Sequence, residues 1–388
     1  MKVTIEEAKK QIAIAIKAYL CKDKNNQYLL PAVGRLPIYL LGRPGIGKTE
    51  VVQEVAEELG IGYVSFSLTH HTRNSLLGLP VIRQLEDGRS YTEFTMSEII
   101  AAVEKARAQG FEEGILMLDE FNSISETVFP LMLAFLQTKN IGEFHLPEGW
   151  IITLAGNPSA DNRSARALDM ALLDRVRMIE VEYDEEVFLA YAREKKFHPS
   201  VIEYLEQNPG DSYLLEKQED QITAVTARGW ENLSRMLYVL DQIGEPVSPC
   251  LISQFIKSDR IVCGFTDYLT LCRLGCTKED MDGIMNGTAD DGLAESLRSL
   301  PENALWLMTD YLYHALSHRM VSPRSSKKPD FSRTFDHTFL FLEKLGNRLV
   351  TERLFGLLNR DARIVKALVA AKNTTYPKLC KAFINGAA

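Results

Sequence analysis

The segment Gly42-Arg43-Pro44-Gly45-Ile46-Gly47-Lys48-Thr49 restricts this chain more than any other. It matches the spacing G-x-x-x-x-G-K-[ST] in full. An apolar run, Ile38–Leu41, leads into it after Pro37. Behind it Val51, Val52, Val55, Ala56 and Leu59 recur at helical spacing, and Gly60 is a natural stop. A glycine-rich turn between a strand and a helix has a definite chemistry. The glycines let successive backbone N–H groups turn inward around phosphate oxygens, and the helix N-terminus adds a favourable dipole. Lys48 is expected to reach the β- and γ-phosphates of a nucleotide, and the Thr49 hydroxyl to ligate Mg²⁺.

The text around this loop has a recognisable rhythm. Residues 4–20 read as an amphipathic helix and residues 61–68 as a strand. Residues 96–109 follow as a helix, and Ile115–Leu118 as a short apolar strand of the buried parallel type. A helix over 126–139 should be interrupted near Pro130, and strands are expected at Ile151–Ala155 and Val176–Val181. Strands alternating with helices imply a parallel sheet covered on both faces. Beyond Tyr183 the segments 185–206, 226–243 and 248–259 are helical in pattern, without a strong strand. The remainder also reads as helical, broken by a linker-like stretch at Ser322–Asp330. The fold class expected is α/β, a parallel nucleotide-binding sheet followed by helical domains. The boundaries fall at 1–184 for the core with its N-terminal helix, 185–274 for a helical lid, and 275–388 for a helical C-terminal extension.

Composition narrows the partners. The 388 residues, 46% hydrophobic and 25% charged, can bury a real core, and the length suits two or three domains. A net charge of −8 argues against nucleic acid held by bulk positive charge. No stretch approaches the ~20 apolar residues that cross a bilayer, and the N-terminus lacks a long apolar signal core, so a soluble cytoplasmic protein is expected. Six cysteines are too few for a disulfide scaffold. Cys272 and Cys276, one helical turn apart, read as ordinary reduced thiols rather than a metal site.

A second signal is Gly114-Ile-Leu-Met-Leu-Asp119-Glu120, an apolar strand ending in two acids. Such an ending places Asp119 at the C-terminal edge of the sheet beside the phosphate loop. There Asp119 can hold the magnesium shell and Glu120 can polarise a water for attack on the γ-phosphate.

In this order the motifs resemble those of an AAA+ ATPase, and within that group the MoxR-like and dynein-related branch. The resemblance covers residues 34–270. It implies ATP and Mg²⁺ as cofactors, bound by residues 42–49 (Gly42, Arg43, Pro44, Gly45, Ile46, Gly47, Lys48, Thr49) with Glu50 behind them, and by Asp119. It makes Asn157, in Ile-Ile-Thr-Leu-Ala-Gly-Asn157-Pro, the counterpart of the residue that positions the attacking water. An amide there has both donor and acceptor. Ala171-Leu-Leu-Asp174-Arg175-Val176 resembles the segment carrying the arginine finger, which assigns Arg175, with Arg177 as rival and Arg163 and Arg166 nearby. Thr226-Ala-Arg228-Gly-Trp230 resembles the start of a lid helix whose arginine, here Arg228, reaches the nucleotide in cis, while Trp230 is expected in the lid core.

Two further segments carry the likeness. His-Thr-Arg-Asn-Ser-Leu-Leu-Gly78-Leu-Pro80 resembles a family segment that bears an acid where Asn74 and Ser75 stand here. The adjacent His70 and His71 read as a solvated loop. Ile141 to Trp150 resembles the hairpin that precedes the Asn157 strand in this branch, with Gly142 and Gly149 at its turns.

The function the resemblance implies is an ATP-hydrolysing ring motor, a homo-oligomer and by the same resemblance a hexamer, that remodels or activates a client protein. Relatives act with a von Willebrand A domain partner or insert metal cofactors. Two alternatives belong to other classes. A binding switch with negligible turnover has no use for Glu120, Asn157 and an arginine finger together. A nucleic-acid motor predicts a basic hairpin, whereas residues 139–150 offer Lys139 against Glu143 and Glu148.

Overall fold

The computed structural model describes residues 2–85, 88–159, 170–217, 222–273, 278–300, 302–321 and 331–383. Arg163, Arg166, Cys276 and the segment Ser322–Asp330 lie outside the described residues. The chain divides into two compact units, Met1–Phe188 with Thr226–Arg228, and Leu189–Val225 with Gly229–Ala388.

The first unit opens with β1 (Lys2–Val3), α1 (Ile5–Tyr19), β2 (Ile38–Gly42), α2 (Lys48–Leu59) and β3 (Gly62–Ser67). A short α3 (Arg73–Leu77) leads to a hairpin of β4 (Pro80–Gln84) and β5 (Ser90–Phe94), then α4 (Glu98–Ala108) and β6 (Gly114–Asp119). Next come α5 (Phe129–Thr138), a small hairpin of β7 (Asn140–Ile141) and β8 (Phe144–His145), β9 (Trp150–Gly156), α6 (Met170–Leu173) and β10 (Arg177–Val181).

Six of these strands form one sheet in the order β1-β10-β2-β9-β6-β3, and every pairing is parallel. The apolar runs explain this. All seven residues of β9 and the first five of β6 are buried, as strands covered on both faces must be. On one side Tyr39, Leu116, Leu118, Ile152 and Leu154 pack with Ile99, Val103, Phe121 and Phe135. Helix α1 buries Ala8, Ile12, Ala15, Ile16 and Tyr19 at helical spacing. Its start is fixed by Thr4, whose hydroxyl accepts from the Glu7 backbone N–H at 3.2 Å.

Some sequence expectations are corrected here. Pro130 does not interrupt a helix over 126–139. It sits in the first turn of α5, where its missing N–H has no intrahelical partner to lose. The stretch 185–206 is two helices, α7 (Glu185–Glu194) and α8 (Pro199–Gln207), because Pro199 restarts the helix with His198 as its cap. The β4–β5 hairpin, exposed along nearly its whole length, was not legible as a pair of strands.

The second unit continues with a hairpin of β11 (Leu214–Lys217) and β12 (Ile222–Val225), where the sequence shows no strong strand beyond Tyr183. Each arm is only four residues long, too short to stand out as a pattern. Helices α9 (Ala227–Ile243), α10 (Pro249–Phe255), α11 (Asp259–Arg273), α12 (Lys278–Asn286) and α13 (Asp291–Arg298) follow. After them come α14 (Glu302–Val321), α15 (Phe331–Leu345), α16 (Arg348–Arg360), α17 (Ala362–Ala370) and α18 (Thr375–Phe383). The segment expected as a lid and the C-terminal helices fall in this same unit. Trp230 is fully buried there against Tyr204 and Phe265, with its indole N–H donating to the Asp211 carbonyl at 3.0 Å. Phe335, Phe339, Leu342, Leu354 and Phe355 centre a second core. Among the described residues no helix is long and apolar enough to cross a membrane.

Candidate functional site

Parallel strands end together, and the ends of β2, β6, β9 and β3 bring the charged and polar residues of the sequence motifs to one edge of the sheet. The loop after β2 turns into α2 through Gly47, which adopts φ 92°, a conformation that side chains other than hydrogen rarely tolerate. Lys48, the first residue of α2, is buried. Its ammonium donates to the carbonyls of Gly42 at 2.8 Å and Arg43 at 2.9 Å, and to Asn157 Oδ1 at 2.9 Å. A buried ammonium needs such partners, and these oxygens hold it at the mouth of the loop. Glu50 lies exposed in the first turn of α2.

Thr49 Oγ1 donates to Asp119 Oδ2 at 2.7 Å, joining the helix start to the end of β6. The other carboxylate oxygen of Asp119 accepts from the Glu120 backbone N–H at 2.8 Å. A hydroxyl and a carboxylate at contact distance form the hard-oxygen donor pair that suits Mg²⁺. Glu120 itself takes a left-handed conformation, φ 56° and ψ 33°. Its Oε2 accepts from Thr69 Oγ1 at 2.8 Å and Ser67 Oγ at 3.2 Å; Ser67 ends β3 and Thr69 lies in the single turn that follows.

Asn157 follows the last residue of β9. Its backbone is held by Asn122, whose Nδ2 donates to the Asn157 carbonyl at 2.6 Å and whose Oδ1 accepts from the Asn157 N–H at 3.2 Å. Burial pushes the Tyr63 hydroxyl pKa up, with the charges of Asp119 and Glu50 adding to the effect.

The structure therefore gathers Lys48, Thr49, Asp119 and Asn157 as two hydrogen-bonded pairs, Lys48 with Asn157 and Thr49 with Asp119, set side by side because residues 48 and 49 are neighbours in the chain, with Glu120 adjoining Asp119. Arg175 stands elsewhere. It precedes β10, and its guanidinium donates to Gln137 Oε1 at 3.2 Å and to the Ala171 carbonyl. Arg177 opens β10 opposite Ile38, exposed, with its guanidinium 5.9 Å from the centre of the Tyr19 ring. Arg228 is exposed, two residues beyond Thr226, whose side chain lies so close to Gly45 that a Cβ on that glycine would stand 2.7 Å from it. His71 bonds within its own loop, Nδ1 standing 3.3 Å from Ser75 Oγ, and 3.1 Å from Glu98.

Sequence reasoning missed Asn122, Ser67 and Thr69. The last two could have been sought as the polar residues closing the 61–68 run, since polar groups at a strand's C-terminal end face the ligand edge. Asn122 carries no spacing signal of its own.

Comparison with known proteins gives one informative match. Residues 38–180 match the family model of the ATPase family associated with various cellular activities (AAA). None of the curated proteins matches the sequence. Among solved structures, a mutant of Thermotoga maritima RuvB is similar at 16% identity and a TM-score of 0.38, over 76% of this chain and 83% of that one. The Thermotoga maritima RuvB Holliday junction branch migration motor is similar at 17% identity and a TM-score of 0.36, over 80% and 87%. Likeness at that level leaves the family model as the comparison on which a functional reading can stand.

Proposed function

We propose that this chain, whose residues 38–180 match the AAA ATPase family model, hydrolyses ATP in a ring of like subunits, a hexamer on the resemblance its motifs carry, and uses the cycle to remodel a client protein. One observation carries the reading. The Lys48 ammonium is bonded to the Asn157 amide and Thr49 to Asp119, and these two pairs stand side by side at the sheet edge. A turn that was glycine-rich for structural reasons alone would have no need to bury a lysine against Asn157.

The roles follow from the atoms. Backbone N–H groups of residues 42–49 and the Lys48 ammonium would grip the β- and γ-phosphates. Thr49 and Asp119 would hold Mg²⁺, which when bound neutralises charge on those phosphates. Glu120 would take a proton from a water as that water's oxygen bonds to the γ-phosphorus and the bond to the ADP oxygen breaks. Glu120 must first leave the Ser67 and Thr69 hydroxyls that hold it. Asn157 would orient the water and the γ-phosphate with its amide.

Arg175 belongs to a neighbour's site in this reading. Register pairs Arg177 with the start of β2 and Val181 with its end, Gly42. At about 3.3 Å per residue, β2 alone separates the two edges by roughly 13 Å. Arg175 lies beyond the far edge, so a second copy must present its phosphate there for the guanidinium to offset transition-state charge. Arg228, close in sequence to the Gly45–Thr226 contact, is assigned to the nucleotide in cis. The β7–β8 hairpin before β9 supports a MoxR-like branch, and with it a client-directed role in which a von Willebrand A domain protein is one candidate partner.

Steady-state phosphate release with Mg²⁺ tests the reading. Glu120→Gln should bind ATP normally and lose turnover by about 100-fold or more, whereas Lys48→Ala should lose nucleotide binding itself. Wild-type and Glu120→Gln proteins that release phosphate at the same rate would end the proposal.

A further inference from the structure

We infer that Asn122 is the positioning residue of the site: it sets the Asn157 amide against the γ-phosphate position without touching the nucleotide. The inference rests on the ATPase reading and deepens it.

The chain makes an unusual effort to bring Asn122 where it is. Glu120 adopts φ 56°, which costs roughly 1 kcal/mol in a residue other than glycine. The left-handed step reverses the chain straight after β6, and the single turn Phe121–Ser123 carries Asn122 to the end of β9. There the ladder has run out. The last pair between β2 and β9 is Leu41 with Gly156, and the last between β6 and β9 is Leu118 with Leu154. Asn157 lies one residue past the first of these pairs and three past the second, where its own N–H and carbonyl have no strand to pair with.

Asn122 supplies both partners from one side chain. Its Nδ2 donates to the Asn157 carbonyl and its Oδ1 accepts from the Asn157 N–H, so the amide stands in for a peptide group of a neighbouring strand. Asn122 is 3% exposed, and the fit beneath it leaves no slack. A Cβ on Gly156 would lie 2.6 Å from Asn122 Oδ1 and 2.2 Å from the Tyr39 hydroxyl. With its backbone fixed on both sides, Asn157 directs Oδ1 to the Lys48 ammonium at 2.9 Å. The amide offers a donor and an acceptor on two separate atoms, one for each partner. An ionised carboxylate has no donor, and a serine has only one oxygen for both partners.

A buried asparagine that merely tidied a strand end would affect stability and nothing else. A double-mutant cycle on the full chain separates the two roles. Wild type, Asn122→Ala, Asn157→Ala and the double variant are compared by ATP turnover and by the ratio of affinities for ATPγS and ADP. Asn122→Ala should lower kcat about tenfold or more with KM within about threefold, and should lose the preference for ATPγS. The double variant should behave as Asn157→Ala alone. Effects that multiply, or a kcat and a preference within about twofold of wild type, would overturn the assignment. Asn122→Asp is isosteric, keeps the acceptor and loses the donor. It decides the matter if the alanine variant does not fold: the same losses support the assignment, and an unchanged protein refutes it. A wild type that binds nucleotide without turnover defeats the ATPase reading while the affinity ratio still judges Asn122. A wild type that binds neither nucleotide defeats both.

Discussion

Lys139 and Tyr39 show how single side chains can be placed against their own chemistry. Lys139 ends α5 in a left-handed conformation, and its ammonium donates to the Leu136 carbonyl at 2.7 Å. Burial, together with the nearby Arg35 guanidinium, pushes its pKa down to about 8. Arg35 is itself buried, donating to the Leu30 carbonyl at 2.8 Å and to Glu148. An unfolded lysine titrates near 10.4, so between about 8 and 10.4 the unfolded chain holds more protons and stability rises with pH. Below pH 8 the full cost of the buried ammonium is present. Lys139→Met should therefore be more stable than wild type at pH 7, by something on the order of 1–3 kcal/mol, and the gain should shrink toward pH 10. Urea titrations at several pH values check this, and a gain independent of pH would mean a solvated amine. The Tyr39 hydroxyl is fully buried without a hydrogen-bond partner among the described residues. Tyr39→Phe should hold or raise the melting temperature, with a gain of about 1 kcal/mol.

At the scale of elements, the sheet depends on tryptophan packing against glycines. A Cβ on Gly114 would lie 2.7 Å from two atoms of the Trp150 ring and 2.8 Å from the Gly62 carbonyl. Gly114→Ala should cost about 1–3 kcal/mol, read as a lowered urea midpoint, and Gly114→Ala with unchanged stability would mean the ring can move aside. Strands of this kind were legible in the sequence because burial on both faces leaves an unbroken apolar run, as in β6 and β9. The phosphate loop and Asp119 were legible because their chemistry demands fixed residue types at fixed spacing. The β4–β5 hairpin was not, since Val81, Ile82, Tyr91 and Phe94 are exposed and obey no alternation that a core would impose. Asn122 escaped for a different reason. Its partner lies 35 residues away, and only the left-handed step at Glu120 brings the two together.

For the whole molecule, the decisive feature is that Arg175 and the phosphate loop occupy opposite edges of one sheet. On the proposed roles, Lys48→Ala and Arg175→Ala chains should each be inactive alone, one lacking the phosphate grip and the other the arginine offered to a neighbour. Mixed in equal amounts they should recover about a quarter of wild-type sites, where an intact loop meets an intact arginine. Phosphate release from the mixture measures it, and a mixture as inert as its parts would place Arg175 outside the active assembly. With Arg175 in the proposed role, each copy would have a polarity, a socket at one end and a plug at the other. Copies so built would join heterologously, and a two-fold pair would leave a socket and a plug unmatched. A chain bearing both defects would silence its own socket and its neighbour's, so its dominant-negative effect on a co-assembled population should exceed its share of the subunits.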